Sequence, residues 1–209
     1  MKITVFGASG KVGRLVVDEL LKNNHKVTAF IHINNPFSDE KNLKVIKGNI
    51  YDAKDVDSAL EDADLVMSTL GSWNTKTKDV LTSGMEIIIP AMKKKNISRI
   101  ISLTGADARS VHDNRSLISN FSHIFFGVMA SKILIDGERH IRLLENSGLD
   151  YTIIRSPVMR EDGNEKPYEL NLIYAKPWES ISRPNVARAI VSQVEDKYFI
   201  RTSPYIHSK

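Results

Sequence analysis

Short apolar, β-branched runs alternate along the chain with longer stretches whose apolar residues recur three and four positions apart. The runs at 2–6, 26–31, 43–47, 64–69, 98–103 and 150–155 read as buried strands. The stretches at 11–23, 53–60, 76–95, 130–147 and 184–194 read as helices. Helical spacing is plainest in Leu81, Met85, Ile88 and Met92, in Ile133, Leu134, Gly137, Ile141 and Leu144, and in Ala187, Ile190, Val191 and Val194. Pro90 is expected to kink the third helix. Pro184 is expected in the first turn of the last, where a missing N–H costs nothing. Tyr198, Ile200 and Thr202 alternate as a late edge strand over 197–202 would. The alternation of strands and helices predicts an α/β fold: one Rossmann-like domain over 1–209, doubly wound around a mostly parallel sheet with helices on both faces.

The stretch from Ala106 to Ala130 breaks this rhythm and reads as irregular. It holds Arg109, His112, Asp113, Arg115, His123 and the aromatic cluster Phe121, Phe125 and Phe126. Because it follows the fifth strand, it belongs above the carboxyl ends of the strands, where open α/β sheets bind ligands. It is either a mobile cover over such a site or a surface excursion or dimer contact.

Composition narrows the class. The chain has 209 residues, 42% hydrophobic and 26% charged, with a formal charge of +4, which suits one soluble domain with a substantial core. It has no cysteine, which excludes disulfides, thiolate metal sites and cysteine nucleophiles, and no metal is expected. The first strand begins at residue 2, which is read as leaving no room for a signal peptide. No apolar stretch is long enough to span a bilayer. The expectation is a cytoplasmic monomer or homodimer with no membrane or nucleic-acid partner. Lys93-Lys94-Lys95 ends a predicted helix, where cations complement the dipole.

Candidate chemistry starts between the first strand and the first helix, at Gly7-Ala8-Ser9-Gly10-Lys11-Val12-Gly13. In a strand–turn–helix frame Gly7 permits a tight turn, Gly10 lets a pyrophosphate reach the backbone, and Gly13 lets the helix pack close to the strand. The helix N-terminus then offers N–H groups to the anion. The reading is a dinucleotide site, against a tight turn without a ligand. The second strand ends at His32, with no carboxylate nearby until Asp39, so nothing there repels a 2′-phosphate. Lys11, Arg14 and His32 could neutralise one, although Lys11 and Arg14 would equally suit an exposed helix face. The cofactor is therefore NADP(H) or NAD(H), leaning to NADP(H). Gly48-Asn49-Ile50 follows the third strand. Asn49 either reads an adenine edge or belongs to a turn, and Asp52 is a plausible N-cap.

The next strands end Ser68-Thr69-Leu70-Gly71, Ser102-Leu103-Thr104-Gly105 and Arg155-Ser156-Pro157, where small residues would let a cofactor lie across the sheet. Ser102 or Thr104 could hydrogen-bond near a nicotinamide, and Pro157 could wall off its ring. Trp73, flanked by Ser72 and Asn74, either stacks on a substrate or joins the core. Phe126 is a second substrate-side candidate. Candidate proton donors are Thr104, His112, His123 and Lys132.

With these residues in view, the chain resembles the atypical short-chain dehydrogenase/reductases, whose glycine pattern is Gly-x-x-Gly-x-x-Gly. Within that group it is similar to the NAD(P)H-dependent flavin reductase and biliverdin-IXβ reductase family and to NmrA-like proteins. The likeness covers nearly the whole chain. It rests on Gly7 to Gly13, Val27-Thr28-Ala29-Phe30, Gly48-Asn49-Ile50, Leu70-Gly71, Ser147-Gly148-Leu149-Asp150-Tyr151-Thr152 and Ile181-Ser182-Arg183-Pro184. The resemblance implies hydride transfer to free flavin or a similar small planar acceptor, with flavin as substrate. Its alternative is a nucleotide-binding redox sensor without turnover. The chain departs from the family in having His32 where Arg is usual and Asn49 where Asp is frequent. Gly105 and Val158 stand where biliverdin reductases carry serine and histidine, which argues against bilins. The dehydrogenase pair of a tyrosine followed four positions later by lysine occurs only as Tyr205 and Lys209, beyond the last predicted helix, and Tyr51, Tyr151, Tyr168, Tyr174 and Tyr198 all lack it, which argues against the usual carbonyl acid. Flavin reduction tolerates that loss, because its chemistry needs chiefly two planar rings held at reacting distance.

Overall fold

The computed structural model describes residues 1–73, 75–114, 116–161 and 167–209. Asn74 and Arg115, singled out from the sequence, lie outside them. The chain runs β1 (Lys2–Phe6), α1 (Lys11–Lys22), β2 (Lys26–Ile31), β3 (Leu43–Lys47), α2 (Ala53–Ala59), β4 (Leu65–Ser68), α3 (Val80–Lys94) and β5 (Arg99–Gly105). It continues through α4 (Leu117–Met129), α5 (Ser131–Glu145), β6 (Asp150–Ser156), β7 (Val158–Arg160), β8 (Tyr168–Asn171), β9 (Ser180–Ser182), α6 (Arg183–Ser192) and β10 (Tyr205–Ser208).

Among the described residues the main sheet has the order β3-β2-β1-β4-β5-β6-β10-β8, and β7 pairs with β9 in a small second sheet. All neighbours in the main sheet are parallel except β10 and β8. Parallel strands covered on both faces have to be apolar throughout, and β1, β4 and β5 are almost entirely buried. One core joins Val16, Val17 and Leu20 of α1 to Val186, Ile190 and Val191 of α6. The other joins Val56 of α2, Met85 and Ile88 of α3, and Ile141 and Leu144 of α5. Chain order reverses at β1, which lies between β2 and β4. Such a switch point opens a crevice at the carboxyl ends of the strands. Among the described residues no helix is long and apolar enough to cross a membrane.

The local signals act as their chemistry demands. The Asp52 carboxylate caps α2 by accepting from the Lys54 N–H at 2.8 Å. Ser182 caps α6, and Pro184 lies in its first turn. Helix α3 starts at Val80, later than the predicted residue 76, and runs on through Pro90.

Two expectations are corrected. The 106–130 stretch is not irregular throughout, since 117–129 is helix α4, opened by a capping box in which Ser116 and Ser119 bond each other's backbone. Leu117, Phe121, Ile124 and Val128 recur at helical spacing along one of its faces, and that face is exposed. Nor is 197–202 an edge strand. Arg201 takes a left-handed φ of 59°, which turns the chain, and only Thr202 bridges to Thr152. The pairing strand is β10, and it sits between β6 and β8, not at the edge.

Candidate functional site

The glycine turn closes as its sequence requires. Gly7 has φ +78°, a conformation other residues rarely adopt. A Cβ on Gly13 would lie 2.2 Å from Gly7 O, so a side chain there would force α1 away from β1. The Gly10 N–H donates to Gly7 O at 3.0 Å. Helix α1 begins after Gly10 with no side-chain cap and no acidic residue in its first turn. Its first N–H groups and the positive dipole end are therefore available to an anion, and a pyrophosphate fits this turn. The turn also abuts the end of β4. A Cβ on Gly7 would touch Leu70 N at 2.8 Å, and the Thr69 hydroxyl donates to Phe6 O and Gly7 O at 3.1 and 3.2 Å.

The flanks of the turn differ in character. His32 is exposed at the end of β2. Asn49 Oδ1 accepts from the Tyr51 N–H at 3.1 Å, an Asx turn that occupies the side-chain oxygen. Ile50 and Leu70 approach one another beside Gly84. On the α1 side a cavity of about 520 Å³ is lined by Lys11, Arg14, Phe37, Glu161 and Arg183 among others. Glu161 pairs with Lys11 and, at 3.3 Å, with Arg183. The Lys11 hydrogen bond and charge, then Arg183, hold its carboxyl below the usual range.

A second, largely apolar cleft of about 440 Å³ lies over the ends of β4, β5 and β6. It brings together Leu70, Gly71, Trp73, Thr104, Phe126 and Pro157, all candidates from the sequence. It adds residues that sequence reasoning passed over: Ser72, Asp107, Ile133, Leu134, Met159, Lys176 and Arg183. Ser102 does not line it. That side chain is fully buried, with its hydroxyl 2.8 Å from His140 Nε2, so it faces helix α5 and not the cleft. His112 and Lys132 are exposed and also outside the cleft lining. His123 is outside it too, with its Nε2 2.8 Å from Glu138 Oε1, so of the four proton-donor candidates only Thr104 lines this space.

Buried charges fix the cleft walls. Asp136 of α5 accepts from the Ser72 hydroxyl at 2.5 Å and from the Leu81 and Thr82 N–H groups at 3.2 and 2.8 Å. It therefore caps α3 from another helix and pins the loop that carries Trp73. Burial pushes the neighbouring His140 imidazole down to about 4, against an opposing pull from Asp136. The Arg155 guanidinium is spent on structure: it donates to Ser203 O at 2.6 and 2.8 Å, pairs with Asp113 at 2.6 Å, and lies 3.8 Å from the Tyr205 ring centre. None of these partners is near in sequence, and no local pattern announced them.

The family model described as NAD(P)H-binding matches residues 7–197. The UPF0659 protein YMR090W of Saccharomyces cerevisiae is 26% identical over 207 residues, covering 93% of this chain and 87% of that protein. Two solved structures share the fold. A short-chain dehydrogenase/reductase from Veillonella parvula, in complex with NADP, has a TM-score of 0.79 at 22% identity over 99% of this chain and 94% of its own. SP1627 from Streptococcus pneumoniae TIGR4, provisionally named a NADH-flavin reductase, has a TM-score of 0.81 at 20% identity over 100% of both chains.

Proposed function

Since the chain belongs to the NAD(P)H-binding family, we propose that it is an NAD(P)H-dependent oxidoreductase that reduces a small planar acceptor, free flavin foremost. The observation that carries this reading is the apolar cleft over the strand ends, joined to the glycine turn through Leu70. The names of the Veillonella and Streptococcus proteins support it.

The first-turn N–H groups and Gly10 hold the pyrophosphate. Ile50 and Leu70 border the adenine, with Asn49 offering its side-chain Nδ2 hydrogens, since its backbone N–H donates to Asp55. Lys11 and Arg14 face a 2′-phosphate, which no carboxylate at the end of β2 repels, so NADP(H) is preferred. Glu161, paired to Lys11, yields that cation to the phosphate. When bound, the dihydronicotinamide supplies a hydride. Pro157 then backs its ring and Thr104 offers a hydroxyl beside it. Trp73 and Phe126 sandwich the acceptor, and the Leu103, Ile133 and Met159 walls exclude water. The site needs no strong acid, because the charge that arrives with hydride spreads through a conjugated ring and its proton comes from solvent.

Anaerobic stopped-flow with NADPH or NADH and riboflavin or FMN tests the reading. Saturable, protein-dependent loss of the nicotinamide absorbance, faster with NADPH, is expected. Tight nucleotide binding without oxidation by any flavin or quinone would replace the reductase with a redox sensor.

A further inference from the structure

Asp107, two residues past β5, lines the apolar cleft, and its Oδ1 accepts from the Ser122 hydroxyl of α4 and from the Tyr174 hydroxyl, each at 2.6 Å. Among the described residues nothing donates to its Oδ2. Both donors are firmly seated. Ser122 is buried, and the Tyr174 ring packs edge-on against Tyr205 with centroids 5.6 Å apart. Burial and the adjacent carboxylate push the Tyr174 phenol well above its usual range, so it stays a donor. A carboxylate in apolar surroundings needs partners. Here two hydroxyls satisfy one oxygen, and the other, which can only accept, is left for whatever enters the cleft.

We infer that Asp107 selects acceptors that turn an N–H or O–H donor toward it and rejects flat acceptors whose edge carries only carbonyl oxygens. The inference rests on the cleft being the acceptor site. An isoalloxazine ring meets the requirement, since its pyrimidine edge carries a ring N–H between two carbonyls. Lys176 and Arg183 in the same cleft offer cations to such carbonyls. A simple quinone does not meet it: carbonyl and carboxylate oxygens would face each other, both desolvated and neither with a proton to share. A site built to receive a donor discriminates strongly against an analogue that lacks one.

The test compares riboflavin, N3-methylriboflavin and menadione in the presence of the nucleotide. Dissociation constants come from flavin fluorescence with NADP⁺, and kcat/KM values from turnover with NADPH. The native protein is expected to bind riboflavin about 10- to 100-fold more tightly than the N3-methyl compound, the range for losing a hydrogen bond to a charged group. Asp107→Leu should erase that ratio and raise menadione turnover, and Asp107→Asn should lie between. Equal binding of the two flavins by the native protein overturns the inference with no variant needed, as does an unchanged ratio in a folded Asp107→Leu protein. Preference for menadione over riboflavin overturns it while the reductase reading stands. Turnover of neither overturns the reading and the inference together.

Discussion

A Cβ placed on Gly13 would sit 2.2 Å from Gly7 O and 2.8 Å from Thr69 Oγ1, whereas one on Gly10 would meet only Gly7 O, at 3.1 Å. The two glycines therefore fail differently when replaced. Gly13→Ala should lower the melting temperature by several degrees, because α1 must leave the sheet to make room. Gly10→Val should lower the melting temperature less than Gly13→Ala does, yet should remove NADPH binding measured by calorimetry, since its side chain occupies the approach to the first-turn N–H groups. Unaltered NADPH affinity in Gly10→Val would take the pyrophosphate out of this turn. At this scale the sequence was most legible. The tight turn at Gly7 and the close packing at Gly13 are written in the local glycine spacing, and the structure shows both, with Thr69 and Leu70 added as neighbours from β4's end. Ser102 was misread for the same reason. Nothing local says that a small hydroxyl residue at the end of a strand points down to His140 and not up into the cleft.

Helix α3 has no side-chain cap from Asp79, the residue before it, and takes Asp136 of α5 instead. Asp136→Ala would leave the Ser72 hydroxyl and the Leu81 and Thr82 N–H groups without their acceptor. The expected cost is about 2–4 kcal/mol, read as a fall in melting temperature of about 5–10 °C. Because the same carboxylate pins the Trp73 loop, the KM for acceptor should rise more than that for NADPH. A variant that lost stability while both KM values stayed put would separate Asp136 from the cleft. Elements with a clear apolar stripe, α1 and α5 among them, were legible within two residues of their bounds. Helix α4 was passed over although Leu117, Phe121, Ile124 and Val128 recur at helical spacing, and that stripe faces solvent and not the core. Strands β7, β8 and β9 are only three or four residues long, and such pieces become strands through the partner they meet.

Across the whole molecule, His140 ties stability to pH. Its folded value of about 4 lies below the ordinary 6.5, so the unfolded chain takes up a proton first as the medium is acidified. The stability that this burial contributes is complete above pH 6.5 and is lost as pH falls toward 4, up to about 3 kcal/mol in all. Urea titrations at pH 7, 6 and 5 should show the native protein losing stability faster than His140→Gln, by about 1.4 kcal/mol per pH unit at most. Parallel curves for the two proteins would mean that the imidazole is not held neutral.

The sequence by itself determined the α/β class, the central parallel strands, the glycine turn and the helix that follows it. Each is written in short continuous apolar runs, in a 3.6-residue period or in the steric freedom of single glycines, and such signals act within a few residues. Only the tertiary structure decided which polar side chains share a cleft. Asp107 meets Tyr174 across 67 positions, Ser72 meets Asp136 across 64, and Arg155 meets Asp113 across 42. Those meetings are set by how the loops and helix α5 close over the strand ends. A buried charge takes whichever partner the packing brings to it, and no spacing along the chain encodes that choice.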